Sequence, residues 1–155
     1  MVIVTALNMN SSKQVSRGEL FGLINGKLTM RINRYLGACF RAVGIGITVE
    51  QWTVLACLWQ KDKVSQQSLS QATFRDKTGM TRLIDTLEKQ GLVVRMPDTT
   101  DRRANLICLT QQGRDLEQKA SAVIEEVAVH TLNILTEDEL NMGKILLRKI
   151  YDHLA

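Results

Sequence analysis

The sequence predicts a mostly α-helical protein with one small β-hairpin set among its helices. Three observations predict it. Apolar residues recur at three- and four-residue steps over most of the chain. Capping residues stand ahead of several of those periodic segments. Residues 92–109 alone carry two β-rich runs, separated by a polar turn that holds the single proline.

The bulk numbers fit that class. A chain of 155 residues, 45% hydrophobic, suits one domain with its own core. No apolar run approaches the ~20 residues of a membrane span. The start, MVIVTALNMNSSKQ, has no basic residue ahead of its brief apolar stretch, so it does not read as a secretory signal. It reads as a tail or an arm that packs on a partner subunit. No contact with a membrane and a cytoplasmic location are the expectations. The net charge of +4 is unevenly spread. Residues 1–60 carry six basic and two acidic groups, residues 61–103 nine and six, residues 104–155 five and eight. The excess of positive charge lies in the first two-thirds, which is compatible with a nucleic-acid partner without demanding one.

Taken in order, residues 16–43 read as a long first helix. Phe21, Leu28, Ile32, Tyr35, Leu36, Cys39 and Val43 recur along it, and Gly44-Ile45-Gly46 ends it. Thr48-Val49-Glu50-Gln51 is a capping-box pattern with Thr48 as N-cap and Gln51 as its partner. The second helix runs from there to about Lys61. Ser65 caps a short helix over residues 66–73, and Asp76 caps the next. Met80, Leu83, Ile84 and Leu87 give that helix one apolar face, and Gly91 is placed to stop it. Two strands and a turn follow. Thr110 opens the longest helix, and Thr136-Glu137-Asp138-Glu139 is a second capping box that opens the last.

The segment around Asp76 carries the functional reading. Helix, turn, helix and a two-stranded hairpin form a winged helix-turn-helix. Lys77, Thr78, Thr81 and Arg82 lie opposite the apolar stripe, in the first two turns of the second helix. Helix N-termini favour phosphate, Arg suits guanine O6 and N7, and Thr suits a base edge or a thymine methyl. Ser65 and Gln66 are placed to touch phosphate from the bracing helix. Arg102 and Arg103 stand at the hairpin tip, within reach of a minor groove. From residue types alone, an ordinary amphipathic helix with a solvated face and a charged hairpin fits equally well.

No catalytic residue is expected. Asp85, Glu88 and His130 lack the spacing of a nucleophile, a base and an orienting group, and no P-loop, GxGxxG or HExxH occurs. Cys39, Cys57 and Cys108 are far apart in apolar segments and read as buried free thiols rather than zinc ligands. No metal and no cofactor are expected. The first and the last two helices are apolar on more than one side. A small reader cannot cover them all, so an isologous homodimer is the natural solution.

Residues 76–110 resemble the MarR family of bacterial winged-helix transcription regulators. Asp76-Lys77-Thr78, Thr81-Arg82-Leu83, Leu87-Glu88-Lys89, Gly91-Leu92-Val93, Arg95, Asp101-Arg102-Arg103, and Leu109-Thr110 with Gly113 match the family pattern in order and spacing. Gly79 departs from it, standing where the family usually has a helix-compatible residue. The resemblance implies one domain over 1–155. Its dimerisation helices would lie at about 16–45 and 110–155, its winged helix-turn-helix at about 48–109. It implies a homodimer on an inverted-repeat operator in double-stranded DNA, acting most commonly as a repressor. Arg103 would then enter the minor groove and Asp101 would orient it. The family also implies response to a ligand or a stress. A small aromatic or anionic effector would sit near Arg31, Tyr35 and Trp52. Two other readings stay open: a winged-helix module that binds protein, and a thiol-based redox sensor on the same fold. For the last, Cys39 lies late in the first helix, away from the family's reactive position.

Overall fold

The computed structural model describes residues 16–98 and 105–154. The chain divides into two compact units, Met1–Ile32 and Asn33–Ala155. In the first unit, Ser16 caps α1 (Arg17–Gly22), accepting the Glu19 N–H at 3.1 Å while Glu19 accepts the Ser16 N–H at 3.1 Å. A π-helical stretch, Leu23–Lys27, follows, and α2 (Leu28–Ala42) begins beyond it. The expected single helix over 16–43 is therefore interrupted. Gly22, Asn25 and Gly26 are weak helix formers, and a wider turn costs least among them. None of this unit's described residues is buried.

The second unit holds the core. It contains α3 (Val49–Gln60), β1 (Val64–Ser65), α4 (Gln66–Ala72), α5 (Lys77–Lys89), β2 (Val93–Pro97), β3 (Asn105–Leu109), α6 (Gln111–Leu132) and α7 (Glu137–His153). The expected capping boxes at Thr48 and Thr136 and the caps at Ser65, Asp76 and Thr110 all form. Phe40, Val54, Leu55, Leu58, Met80, Ile84, Leu87 and Ile107 are fully buried. They come from α2, α3, α5 and β3, so the helix-turn-helix is built on one apolar cluster. The only buried polar side chain in that unit's described part is Gln51. Its amide donates to Gln90 Oε1 at 2.9 Å, and Gln90 donates to the Gly46 carbonyl at 3.1 Å. The start of α3 is thereby fastened to the end of α5.

The strands form one antiparallel sheet in the order β1-β3-β2, with Val94 opposite Cys108 and Val64 opposite Ile107. The third strand, β1, adds to the expected hairpin; two residues are too few to show a period. Gly113 explains the close seat of α6. A Cβ there would lie 2.1 Å from the Leu92 carbonyl oxygen, a backbone atom that cannot swing aside. Thr110 donates to the Gly91 carbonyl at 2.6 Å and Trp59 Nε1 to the Gly113 carbonyl at 2.9 Å, which locks the helix start to the wing and to α3. On α6, Ala120, Val123 and Val127 are buried; α7 has no buried residue.

Candidate nucleic-acid interface

Asp76 begins the candidate surface. Its Oδ1 accepts the Gly79 N–H at 2.8 Å. That bond, with the charge of Arg82 helping, holds its carboxyl below the ordinary range. Lys77, Thr78 and Arg82 are exposed on the first two turns of α5, and Thr81 is half-buried beside them. The opposite face is the one buried in the core, so the helix is fixed with this polar face outward.

Thr81 is engaged within the protein. Its hydroxyl donates to the Lys77 carbonyl at 2.8 Å and accepts from Gln66 Nε2 at 2.6 Å. Its proton is committed, which leaves it one acceptor lone pair and its methyl group. Gln66 in turn links α4 to α5. Ser65 spends its hydroxyl as the cap of α4, bonded to the Ser68 N–H at 3.1 Å and to the Ser68 hydroxyl at 2.9 Å. Ser65, Gln66 and Thr81, all expected to face DNA, thus also bond within the motif. A cleft of about 570 Å³ lies alongside, lined by Gln66, Gln67, Ser70, Lys77, Arg95 and Asn105. Asp101, Arg102 and Arg103 of the wing tip lie outside the described residues.

Arg95 stands in the family pattern, but its sequence position alone gave it no role. From β2 it pairs with Asp85 at 2.5 Å and with Glu88 of α5, while its backbone N–H donates to Glu88 Oε1 at 3.1 Å. Burial works against the guanidinium's charge, but the two carboxylates outweigh it and raise its pKa. This fork-on-carboxylate contact fixes β2 to the side of α5. The available signal was two carboxylates three residues apart on one helix face, which favour a cation nearby. A second tie joins Asp62 to the Arg114 guanidinium at 2.8 Å and to the Leu109 N–H at 2.9 Å.

Of the three residues expected at an effector pocket, Tyr35 and Trp52 belong to the second unit. Trp52 lines a groove of about 320 Å³ between α3 and α6, with Trp59 beside it and Glu117 and Glu125 among its walls. Those carboxylates oppose an anion there. Tyr35 is not one of its walls; it stacks on His130 with ring centroids 5.1 Å apart. Arg31 is exposed and belongs to the first unit. All three cysteines are free. Burial raises the thiol pKa of Cys57 and of Cys108, so neither is poised as a thiolate. No cluster of metal-ligating side chains occurs among the described residues, and no helix among them is long and apolar enough to cross a membrane.

A braced helix-turn-helix with a strand pair fastened to its second helix defines a winged-helix protein. Comparison with known proteins gives the family. A sequence profile described as MarR family matches residues 47–104. The chain is 30% identical over 132 residues to the HTH-type transcriptional regulator PrsX of Escherichia coli, covering 84% of this chain and 76% of the relative. A MarR transcriptional regulator from Methanosarcina mazei superposes with a TM-score of 0.77 at 26% identity, over 88% of this chain and 97% of that one. A mutant MarR from E. coli complexed with operator DNA superposes with a TM-score of 0.79 at 23% identity, over 90% of this chain and 99% of that one. The chain belongs to the MarR family of winged-helix transcription regulators.

Proposed function

We propose that this protein is a homodimeric, sequence-specific DNA-binding regulator that represses transcription from an inverted-repeat operator. One observation carries the reading: the outward face of α5 places Lys77, Thr78 and Arg82 together at a helix start whose other face is locked into the core. Arg82 reads a base edge in the major groove, Thr78 and the Thr81 methyl line the same edge, and Lys77 neutralises a phosphate. Arg102 and Arg103 take the minor groove. The α4 start, with Ser65 and Gln66, sets the depth at which α5 enters. A fold common to a regulator solved on operator DNA supports this assignment.

The dimer follows from surface chemistry. Met142, Ile145, Leu146, Leu147, Ile150 and Tyr151 are all exposed on α7, more apolar surface than a lone helix face leaves in water. An isologous pair buries it and sets two reading helices about 34–36 Å apart, one turn of DNA. The signal is proposed to enter through the helical part. The groove beside Trp52 favours an aromatic effector that is neutral or cationic.

Two substitutions test the reader, measured by titrating selected and scrambled duplexes. Arg82→Ala is expected to cost about 1–3 kcal/mol on the selected site and to relax its sequence preference. Lys77→Ala is expected to weaken binding to every duplex alike and to reduce the salt slope by about one. If both variants bind all duplexes like the wild type, α5 does not read DNA.

A further inference from the structure

Three helices of this protein end in the same hydrogen-bonded turn, and one of them breaks its usual rule. In that turn the second residue past the last helical one takes a left-handed backbone, a conformation that glycine adopts freely. After α2 the residue is Gly44, with φ +73, closed by the Ile45 N–H on the Phe40 carbonyl at 2.8 Å. After α5 it is Gly91, with φ +71, closed by the Leu92 N–H on the Leu87 carbonyl at 3.0 Å. After α4 it is Phe74, with φ +53, closed by the Arg75 N–H on the Ser70 carbonyl at 2.9 Å. A bulky side chain in this region clashes with its own backbone, so Phe74 is held there against its preference.

The fold gains nothing from the ring in return. Phe74 is 81% exposed. A single exposed apolar residue is ordinary; a strained one in the turn of a helix-turn-helix, two residues before the cap of the reading helix, is not. Beside it, Arg75 Nε is buried without a hydrogen-bond partner among the described residues. Strain kept without a packing return marks a position whose side chain acts outside the fold.

We infer that Phe74 is a specificity-determining residue that packs on a thymine methyl at the edge of the major groove entered by α5; this rests on the proposed DNA-binding function. A phenyl ring offers nothing to a phosphate or to a polar base edge. The thymine C5-methyl is the one apolar group on the major-groove face of the bases, and Phe is among the side chains that contact it. Arg82 and Lys77 read and neutralise; Phe74 adds a preference for thymine at the flank of what they read.

The test uses the full chain and the duplex it selects from a random library. Thymines of that duplex are replaced one at a time by uracil, which removes the methyl and keeps the pairing. The wild type is expected to weaken about four-fold at one thymine in each half-site, the effect of one buried methyl-sized group. Phe74→Gly is expected to bind the thymine duplex about ten-fold more weakly and to ignore that uracil change. Its unfolding midpoint is expected to rise by about 2–4 °C, because the strain is gone. Phe74→Asn, which also tolerates the left-handed turn, should repeat both results and serves if the glycine variant fails to fold. A variant that binds as tightly as wild type with the same uracil profile overturns the inference alone. So does one that weakens but keeps the uracil sensitivity, since the ring would then only position the turn. An unraised midpoint removes the strain premise and overturns it too. A wild type that selects no duplex overturns the regulator reading and this inference with it.

Discussion

Gly79 is the third residue of α5, and it donates its N–H to Asp76 at 2.8 Å. A Cβ there would meet only the Asp76 carboxylate, at 3.5 Å, an ordinary contact. Nothing in the fold therefore requires glycine, which costs about 0.8–1 kcal/mol against alanine in a helix. Gly79→Ala is expected to stabilise the protein by that amount in a urea titration, with the slope unchanged. If the same variant loses affinity for the selected duplex, Gly79 is there for backbone approach to DNA; if it keeps affinity, the residue is a dispensable weakness. The contrast with Gly113 is physical. There a Cβ meets a carbonyl oxygen at 2.1 Å, so that glycine belongs to the fold. Sequence spacing marks both positions and cannot tell them apart, because the neighbour that decides lies 21 residues away in one case and three in the other. Local signals were legible for that reason: each N-cap at Thr48, Ser65, Asp76, Thr110 and Thr136 bonds a residue three positions on. The partners of Thr81 and Arg95 were not, since they depend on which elements meet.

At the scale of elements, Arg95 fastens β2 to α5 by binding Asp85 and Glu88. Asp62 does the same service between the turn before β1, strand β3 and α6. Partial burial pushes its carboxyl up. The N–H groups of Leu109 and Lys63 and the Arg114 guanidinium outweigh that, so its pKa lies below the ordinary carboxylate range. A carboxylate depressed in the folded state contributes stability above its unfolded pKa and loses it as pH falls toward the folded value. Asp76 and Glu139 are depressed in the same direction. Stability is therefore expected to fall on acidification below the ordinary carboxylate range. Asp62→Asn should be less stable near neutral pH and show a flatter acid limb in thermal melts; an unchanged acid limb would remove Asp62 from this role. The strand β1 and the π-helical stretch escaped sequence reading for a related reason. Two residues carry no period, and a one-residue insertion in a helix shifts a pattern without erasing it.

On the scale of the whole molecule, reading an inverted repeat needs a second copy of the chain. The apolar residues of α7 were legible as helical, yet their outward exposure emerges only once the core is filled from α2 to α6. Leu146→Glu with Ile150→Glu is expected to leave the winged-helix core folded by circular dichroism, convert the dimer to monomer in sedimentation, and weaken operator binding more than ten-fold, because two half-sites no longer act together. A double variant that remains dimeric would place the interface elsewhere. The fold class and helix α5 were visible in the sequence because both rest on periodicity and caps. The groove beside Trp52 was not, since its walls, such as Trp52 and Glu117, come from distant parts of the chain.

The measurement that bears most directly on the central claim is selection of duplexes from a random library by the purified protein, followed by titration of the recovered site across a salt series. The expected result is an inverted repeat whose two halves lie about one helical turn apart, bound with an affinity that falls steeply as salt rises. Recovery of no enriched sequence, with weak binding indifferent to salt, would contradict it.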